Sequence, residues 1–220
     1  QGLWWASTAK PAIWFVSALK KGDVETSLTG SPIAEILNIR YYPWYSSGQY
    51  DLYLTLKLKV SGNPKTGKYN FKRSTIGVGS PIDLEFPSVQ ISGTVIQLDT
   101  NPFEEKTVTK TVILTKKGAF PWEYSAINIG DKYFDGEQNV FEVLDKKSTD
   151  IAVQSPDVYG NSTDSTLDPK KYIVVKAKIK LQEKNNQLIF GEEQVINPGK
   201  TINISTANFT FNDYVVGGIE

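Results

Sequence analysis

Three carboxylates lie close together in "SAINIGDKYFDGEQNVFEVLDKK", Ser125 to Lys147: Asp131, Asp135 and Glu142. Acidic oxygens grouped this way can bind a hard cation, or divide acid–base work between a proton donor and an acceptor. A second acidic set follows in "STDIAVQSPDVYGNSTDSTLDP" from Ser148, where Asp150, Asp157, Asp164 and Asp168 lie with Asn161. These are calcium-type donors, but the D-x-[DN]-x-[DN]-G spacing and the bidentate Glu of a calcium loop are missing, so the spacing favours a solvated loop. Calcium is the one cofactor left open, and no other is expected. With no Cys, no His and no Met in 220 residues, the rest of the inventory is thin. Zinc fingers, blue-copper sites, thiol nucleophiles and His-based triads are excluded within this chain. A hydrolase would have to run on two carboxylates at retaining or inverting separation, and sequence spacing does not supply that distance.

The sequence also offers a plainer account of these acids. Gly-Asp recurs as Gly22-Asp23 and Gly130-Asp131. A Gly at positive φ followed by an Asp that bonds the turn's own amides is a recurrent turn device. Glu35 and Glu142 sit inside apolar alternation, where they face solvent or pair with a cross-strand lysine. The expectation is a protein without enzymatic activity.

Charge points away from nucleic acid. Lys plus Arg equals Asp plus Glu at 24 each, and only Arg40 and Arg73 are arginines, whereas phosphate and base readout favour Arg. Lys57 and Lys59, like Lys176, Lys178 and Lys180, alternate along strands and keep a wet edge soluble. The longest apolar run, "AIWFVSAL" from Ala12, is too short to span a bilayer, so no transmembrane segment is expected in the chain. A start at Gln1 suggests a processed mature end. "QGLWWASTAK" lacks the basic n-region of a signal peptide, so in an exported protein that signal has gone. Asn161, Asn203 and Asn208 head Asn-X-Ser/Thr sequons.

Period-two alternation dominates the elements that must position any site. Leu52, Leu54, Leu56, Leu58 and Val60 share one face of "YDLYLTLKLKV"; Ile173, Val175, Ala177, Ile179 and Leu181 share one face of "KYIVVKAKIKL". Strands with one buried face read this way, no window carries a capped helical period, and an all-β fold follows. The two long strands also head matching segments. Setting Gly79 against Gly199 aligns Ile82 with Ile202, Leu84 with Ile204, Val89 with Phe209, Ile91 with Phe211 and Val95 with Val215. Upstream, "AEIL" at Ala34 matches "FEVL" at Phe141, and "AIWFV" at Ala12 is set against "TVILT" at Thr111. The expected architecture is two tandem homologous small β-barrel or sandwich domains, residues 11–98 and 107–220. Residues 99–106 link them, residues 1–10 form an N-terminal aromatic segment, and 148–169 is an insertion loop in the second domain. Where the first domain has the aromatic link "YYPWYSSGQ" from Tyr41, the second has that insertion.

Ile129-Gly130-Asp131 with Glu142-Val143, "KYIVVKAKIK", and "PIDLEFPSVQISGTV" from Pro81 together carry a resemblance. The chain resembles, twice over, the uncharacterised bacterial domain-of-unknown-function family 4330. That resemblance implies an extracytoplasmic place, normally behind a membrane anchor, and no assigned activity. A looser similarity is to the lipid-trafficking domains of the mammalian-cell-entry type, through "LKKGDVETSLTGSPIAEILNIR". Their Val-Gly-x-Val is replaced here by Pro32-Ile33-Ala34-Glu35.

Aromatic residues supply the contact candidates: Leu3, Trp4 and Trp5 at the start, and Tyr41, Tyr42, Trp44 and Tyr45 in the link. Flat aromatic surfaces bind sugar rings, or pack between subunits. The first segment can also add to a neighbouring sheet edge as an extra strand. The expected function is a structural subunit of a cell-surface filament or layer, self-associating through residues 1–10. A glycan- or lipid-binding surface module is the alternative, and a carboxylate hydrolase the third reading.

Overall fold

The computed structural model describes residues 10–44, 48–63, 68–151, 154–156, 162–164 and 170–220. The chain is mostly β, and it divides into two compact units, Gln1–Glu104 and Glu105–Glu220. The division falls inside the 99–106 stretch, within a run from Val95 to Lys106 that carries no strand.

Unit 1 begins with a helix, α1 (Ile13–Ala18), followed by β1 (Val24–Thr26), β2 (Pro32–Trp44) and β3 (Gln49–Leu58) in an antiparallel sheet of order β1-β2-β3. Three short strands, β4 (Ser61–Asn63), β5 (Lys68–Phe71) and β6 (Ser74–Ile76), make a second sheet, and the hairpin β7 (Pro81–Phe86) and β8 (Val89–Thr94) a third. Its core gathers Phe15, Leu19, Ala34, Ile36, Phe71, Ile76, Leu84 and Phe86. Ala12–Val16 does not form the expected strand. Phe15, Val16 and Leu19 are buried while Ile13 and Trp14 are exposed, a helical i, i+1, i+4 spacing that alternation cannot produce. The local reading failed because Ile, Trp, Phe and Val favour strands by propensity alone. Tyr41–Trp44 does not form a loop either: β2 and β3 stay paired from Ala34↔Leu58 out to Trp44↔Gln49.

Unit 2 opens with β9 (Thr107–Ala119), then helix α2 (Pro121–Ala126), β10 (Lys132–Phe134) and β11 (Asn139–Ile151). After the small hairpin β12 (Gln154–Pro156) and β13 (Ser162–Asp164) come β14 (Lys170–Lys184), β15 (Gln187–Phe190), β16 (Gln194–Val195), β17 (Thr201–Ile202) and β18 (Tyr214–Ile219). One sheet runs β10-β11-β14-β9-β18-β17. The first four residues of the expected insertion loop, Ser148–Ile151, extend β11 against Ile173–Lys170 of β14. Ile173, Val175, Ala177 and Ile179 of β14 are fully buried, and Val112 and Leu114 of β9 beside them likewise. Long-range ladders such as these bury each apolar face between covered neighbours, which stabilises by roughly 25 cal/mol per Å² of apolar area.

The same local geometry occurs in both units. Gly22 N–H donates to Ile36 O and Ile36 N–H to Asp23 O at 2.8 and 2.9 Å; Gly130 N–H donates to Val143 O and Val143 N–H to Asp131 O at 2.8 and 2.9 Å. Both glycines take the left-handed φ that the turn requires, 90° and 89°. A bulge follows each, between Ile36 and Asn38 and between Val143 and Asp145. It turns Leu37 and Leu144 outward, 39% and 41% exposed. Gly79 N–H donates to Val95 O at 2.7 Å, as Gly199 N–H does to Val216 O. The residue in the place of Val95 is therefore Val216, one position beyond Val215.

Candidate functional site

The acidic residues that opened the question are occupied. Asp23 Oδ2 accepts from Lys20 N–H at 3.0 Å, and Asp131 Oδ2 from Asn128 N–H at 3.3 Å, each closing its own turn. Asp131 Oδ1 also accepts from Asn208 Nδ2 at 2.8 Å, so the amide of one sequon is held by this turn. Asp135 is buried, and its Oδ1 accepts from Glu137 and Gln138 N–H, both at 2.9 Å. Glu142 lies opposite Lys132 and pairs with it at 3.3 Å, and Glu35 lies opposite Val24 and Lys57.

Of the calcium candidates, Asp150 pairs with Lys171 across the strands at 2.7 Å. Asp157, Asp168 and Asn161 lie outside the described residues, and of Asp164 only the β13 backbone is described. Among the described residues no group of three acidic side chains is placed to hold a metal. No described helix is long and apolar enough to cross a membrane.

Two buried carboxylates escaped the sequence reading. Glu25 faces a cleft of about 370 Å³ lined by Thr26, Glu85, Phe86 and Gln90. Lys72 pairs with Glu25 and also donates to Asp83 O at 2.9 Å, which makes Glu25 a strut between hairpins. Glu123 Oε2 lies 2.7 Å from Lys116 Nζ, and Oε1 accepts from Phe120 N–H at 2.9 Å, closing the first turn of α2. Beside this pair Tyr214 is fully buried among Phe209 and Phe211. Burial first, and then the Glu123 charge, push the Tyr214 hydroxyl well above the ordinary phenol range. Glu25 sits in a three-residue strand and Glu123 in a six-residue helix, both too short for a periodicity that would mark either as buried.

The aromatic candidates of the link pack within the β2–β3 hairpin. Tyr41 meets Tyr50 edge-on at 5.6 Å between ring centroids, and Tyr42 meets Tyr53 at 6.1 Å. Lys10 Nζ sits 3.9 Å from the centre of the Trp44 ring and pairs with Asp51. Leu3, Trp4, Trp5 and Tyr45 lie outside the described residues. Two exposed tryptophans were missed: Trp14 on α1 and Trp122 on α2, each second in its helix, 65% and 62% exposed.

The main difference between the units concerns the edge of a sheet. In unit 2, β9 lies between β14 and β18, with Ala177↔Val112 and Val175↔Leu114 on one side and Val216↔Leu114 and Ile219↔Val112 on the other. In unit 1, among the described residues, the edge of β3 away from β2 is met only at its start, where Ala12 bridges Gln49 and Tyr50 N–H donates to Pro11 O at 2.9 Å. The residues after Val95, which stand where β18 continues in unit 2, carry no strand. Leu52, Leu54, Leu56, Leu58 and Leu98 pack on one core and remain only half-buried, whereas the matching face of β14 is sealed. An apolar sheet edge of this kind offers a row of backbone donors and acceptors to an incoming strand.

No family model, no curated protein and no solved structure matches the chain.

Proposed function

We propose that this chain is a non-enzymatic structural subunit of an extracytoplasmic, surface-exposed assembly. In this reading it holds two tandem copies of one small β domain, and its copies join when the unfinished sheet of unit 1 accepts a strand. The observation that carries the reading is the half-covered face of β3, whose leucines share one core with Leu98, where unit 2 seals β14 against β9. Main-chain hydrogen bonds would supply affinity there, and burial of Leu54, Leu56 and Leu98 would supply the driving force. The occupied turn carboxylates Asp23, Asp131 and Asp135 favour a structural role over a catalytic one. Electron microscopy and light scattering at rising protein concentration test this. Filaments or oligomers that disappear when residues 1–10 are removed are expected; a monodisperse monomer at every concentration overturns the reading.

A second reading, a glycan- or lipid-binding surface module, is favoured by the exposed Trp14 and Trp122. Exposed indoles stack on sugar rings and settle at membrane interfaces. Binding to a glycan panel or to vesicles, lost in Trp14→Ala and Trp122→Ala but kept in Trp44→Ala, would support it.

A further inference from the structure

We infer that the cleft of unit 1 between β1 and the β7–β8 hairpin holds a primary alkylammonium group, with Glu25 as its buried acceptor and Glu85 as the charge at its mouth. This site goes beyond the assembly reading and does not depend on it.

One oxygen of Glu25 is engaged and the other is open. Oε1 pairs with Lys72, while Oε2 is buried and has no hydrogen-bond partner among the described residues. Glu25 is only 6% exposed, yet it lines the cleft of about 370 Å³ together with Thr26, Glu85, Phe86 and Gln90. A buried carboxylate oxygen without a donor is costly. A ligand that brings an N–H into the cleft removes that cost.

The charges decide the class of ligand. Glu25 and Glu85 bring two negative charges to the cleft, and Lys72 offsets one of them. Glu85 is exposed and has no ion pair among the described residues, and no described lysine or arginine lines the cleft. The cleft therefore lacks one positive charge. A divalent cation would need several more hard oxygens, and it would meet a carboxylate already shared with the Lys72 ammonium. An alkylammonium carries a single charge and three N–H donors. Glu25 Oε2 and Glu85 accept two of them, and the Thr26 hydroxyl or the Gln90 side-chain carbonyl is at hand for the third. Val24, Phe86 and Pro87 offer apolar surface to its methylenes.

The local fold does not call for these groups. Counting from Asp23 and Asp131 sets Glu25 on Tyr133, and counting from Gly79 and Gly199 sets Glu85 on Ser205 and Gln90 on Thr210. The pairing agrees with the count: Glu85 faces Gln90 across β7 and β8, and Ser205 bridges Thr210. In unit 2 these positions carry no acid, and Ser205 Oγ and Thr210 Oγ1 satisfy each other at 2.9 Å. The same pairing forms there without carboxylates, so those of unit 1 are not needed to build it.

Amide NMR spectra of the full chain, titrated with cadaverine and separately with Nα-acetyllysine amide at constant ionic strength, test the site. Saturable shifts at Thr26, Glu85 and Gln90 are expected, with an affinity about tenfold lower or more in Glu25→Gln. Glu85→Gln, a change to an exposed side chain, repeats the test should Glu25→Gln misfold through its lost pair with Lys72, and it should weaken binding severalfold. Saturation by either amine supports the site, and the tighter of the two says whether a free amine or a lysine side chain is the better occupant. Equal affinity for tetramethylammonium, which has no N–H, overturns the proposal, as does tighter binding of calcium or magnesium. An affinity unchanged in both variants overturns it, and so does the lack of a saturable shift from either amine, whether or not the chain assembles.

Discussion

Lys116 Nζ, partly exposed, lies 2.7 Å from the buried Glu123 Oε2, and the pair fastens β9 to α2. Removing Glu123 takes the nearer of two carboxylates from Lys116, which keeps Asp213 at 3.6 Å. Glu123→Ala is expected to cost unit 2 about 3 kcal/mol, since it also strips the acceptor from Phe120 N–H. Lys116→Met with Glu123→Leu should recover most of that loss, as measured by urea unfolding. A single variant as stable as the parent would show that the pair contributes nothing.

Tyr214 hides a hydroxyl that has no hydrogen-bond partner among the described residues. Tyr214→Phe should therefore change stability by less than about 1 kcal/mol, because replacement by an apolar group of the same shape can be nearly neutral. The pH dependence has a definite sign. The folded state keeps this proton while the unfolded chain releases it above about pH 10, so the unfolded state binds fewer protons and stability falls as pH rises past 10. Comparing urea midpoints at pH 9 and pH 11, the parent should lose more than Tyr214→Phe does.

Asp131 satisfies two donors, Asn128 N–H and Asn208 Nδ2, where Asp23, among the described residues, satisfies Lys20 N–H. Asp131→Ala is expected to cost about 1–2 kcal/mol and Asp23→Ala about 1 kcal/mol. Thermal melts with calcium or with a chelator should coincide. A calcium-dependent rise of several degrees would restore the acidic segment around Asp150 to Asp168 as a metal site.

Much of the molecule was legible from alternation. The apolar faces of β3 and β14 were named residue by residue, because a strand with one buried side repeats every two residues; Val60 is the exception, since β3 ends at Leu58 and Val60 beyond it is exposed. The Gly-Asp turns were legible because only Gly relaxes at φ near 90°. Helix α1 was not: six residues are too few to show a helical period, and Ile13, Trp14, Phe15 and Val16 favour strands by type. That single error shifted the comparison by nine residues, since Ala12 was set against Thr111 of β9 when the Gly-Asp turns set Ile13–Ala18 on Pro121–Ala126 of α2. The half-covered edge of β3 could not be read at all. Leu54 and Ile179 look alike in sequence, and only neighbours decide whether an apolar face is sealed.

The unequal sealing of β3 and β14 has a consequence in time. Backbone amides of Ile173–Ile179 lie inside a ladder with partners on both sides, so in a solitary chain they should exchange hydrogen only on global opening of unit 2. Those along the outer edge of β3 would exchange within far shorter delays. The solitary chain should then melt in two steps, unit 1 first. Incorporation into a polymer would merge the steps, so each subunit would complete its own folding at the moment it is added.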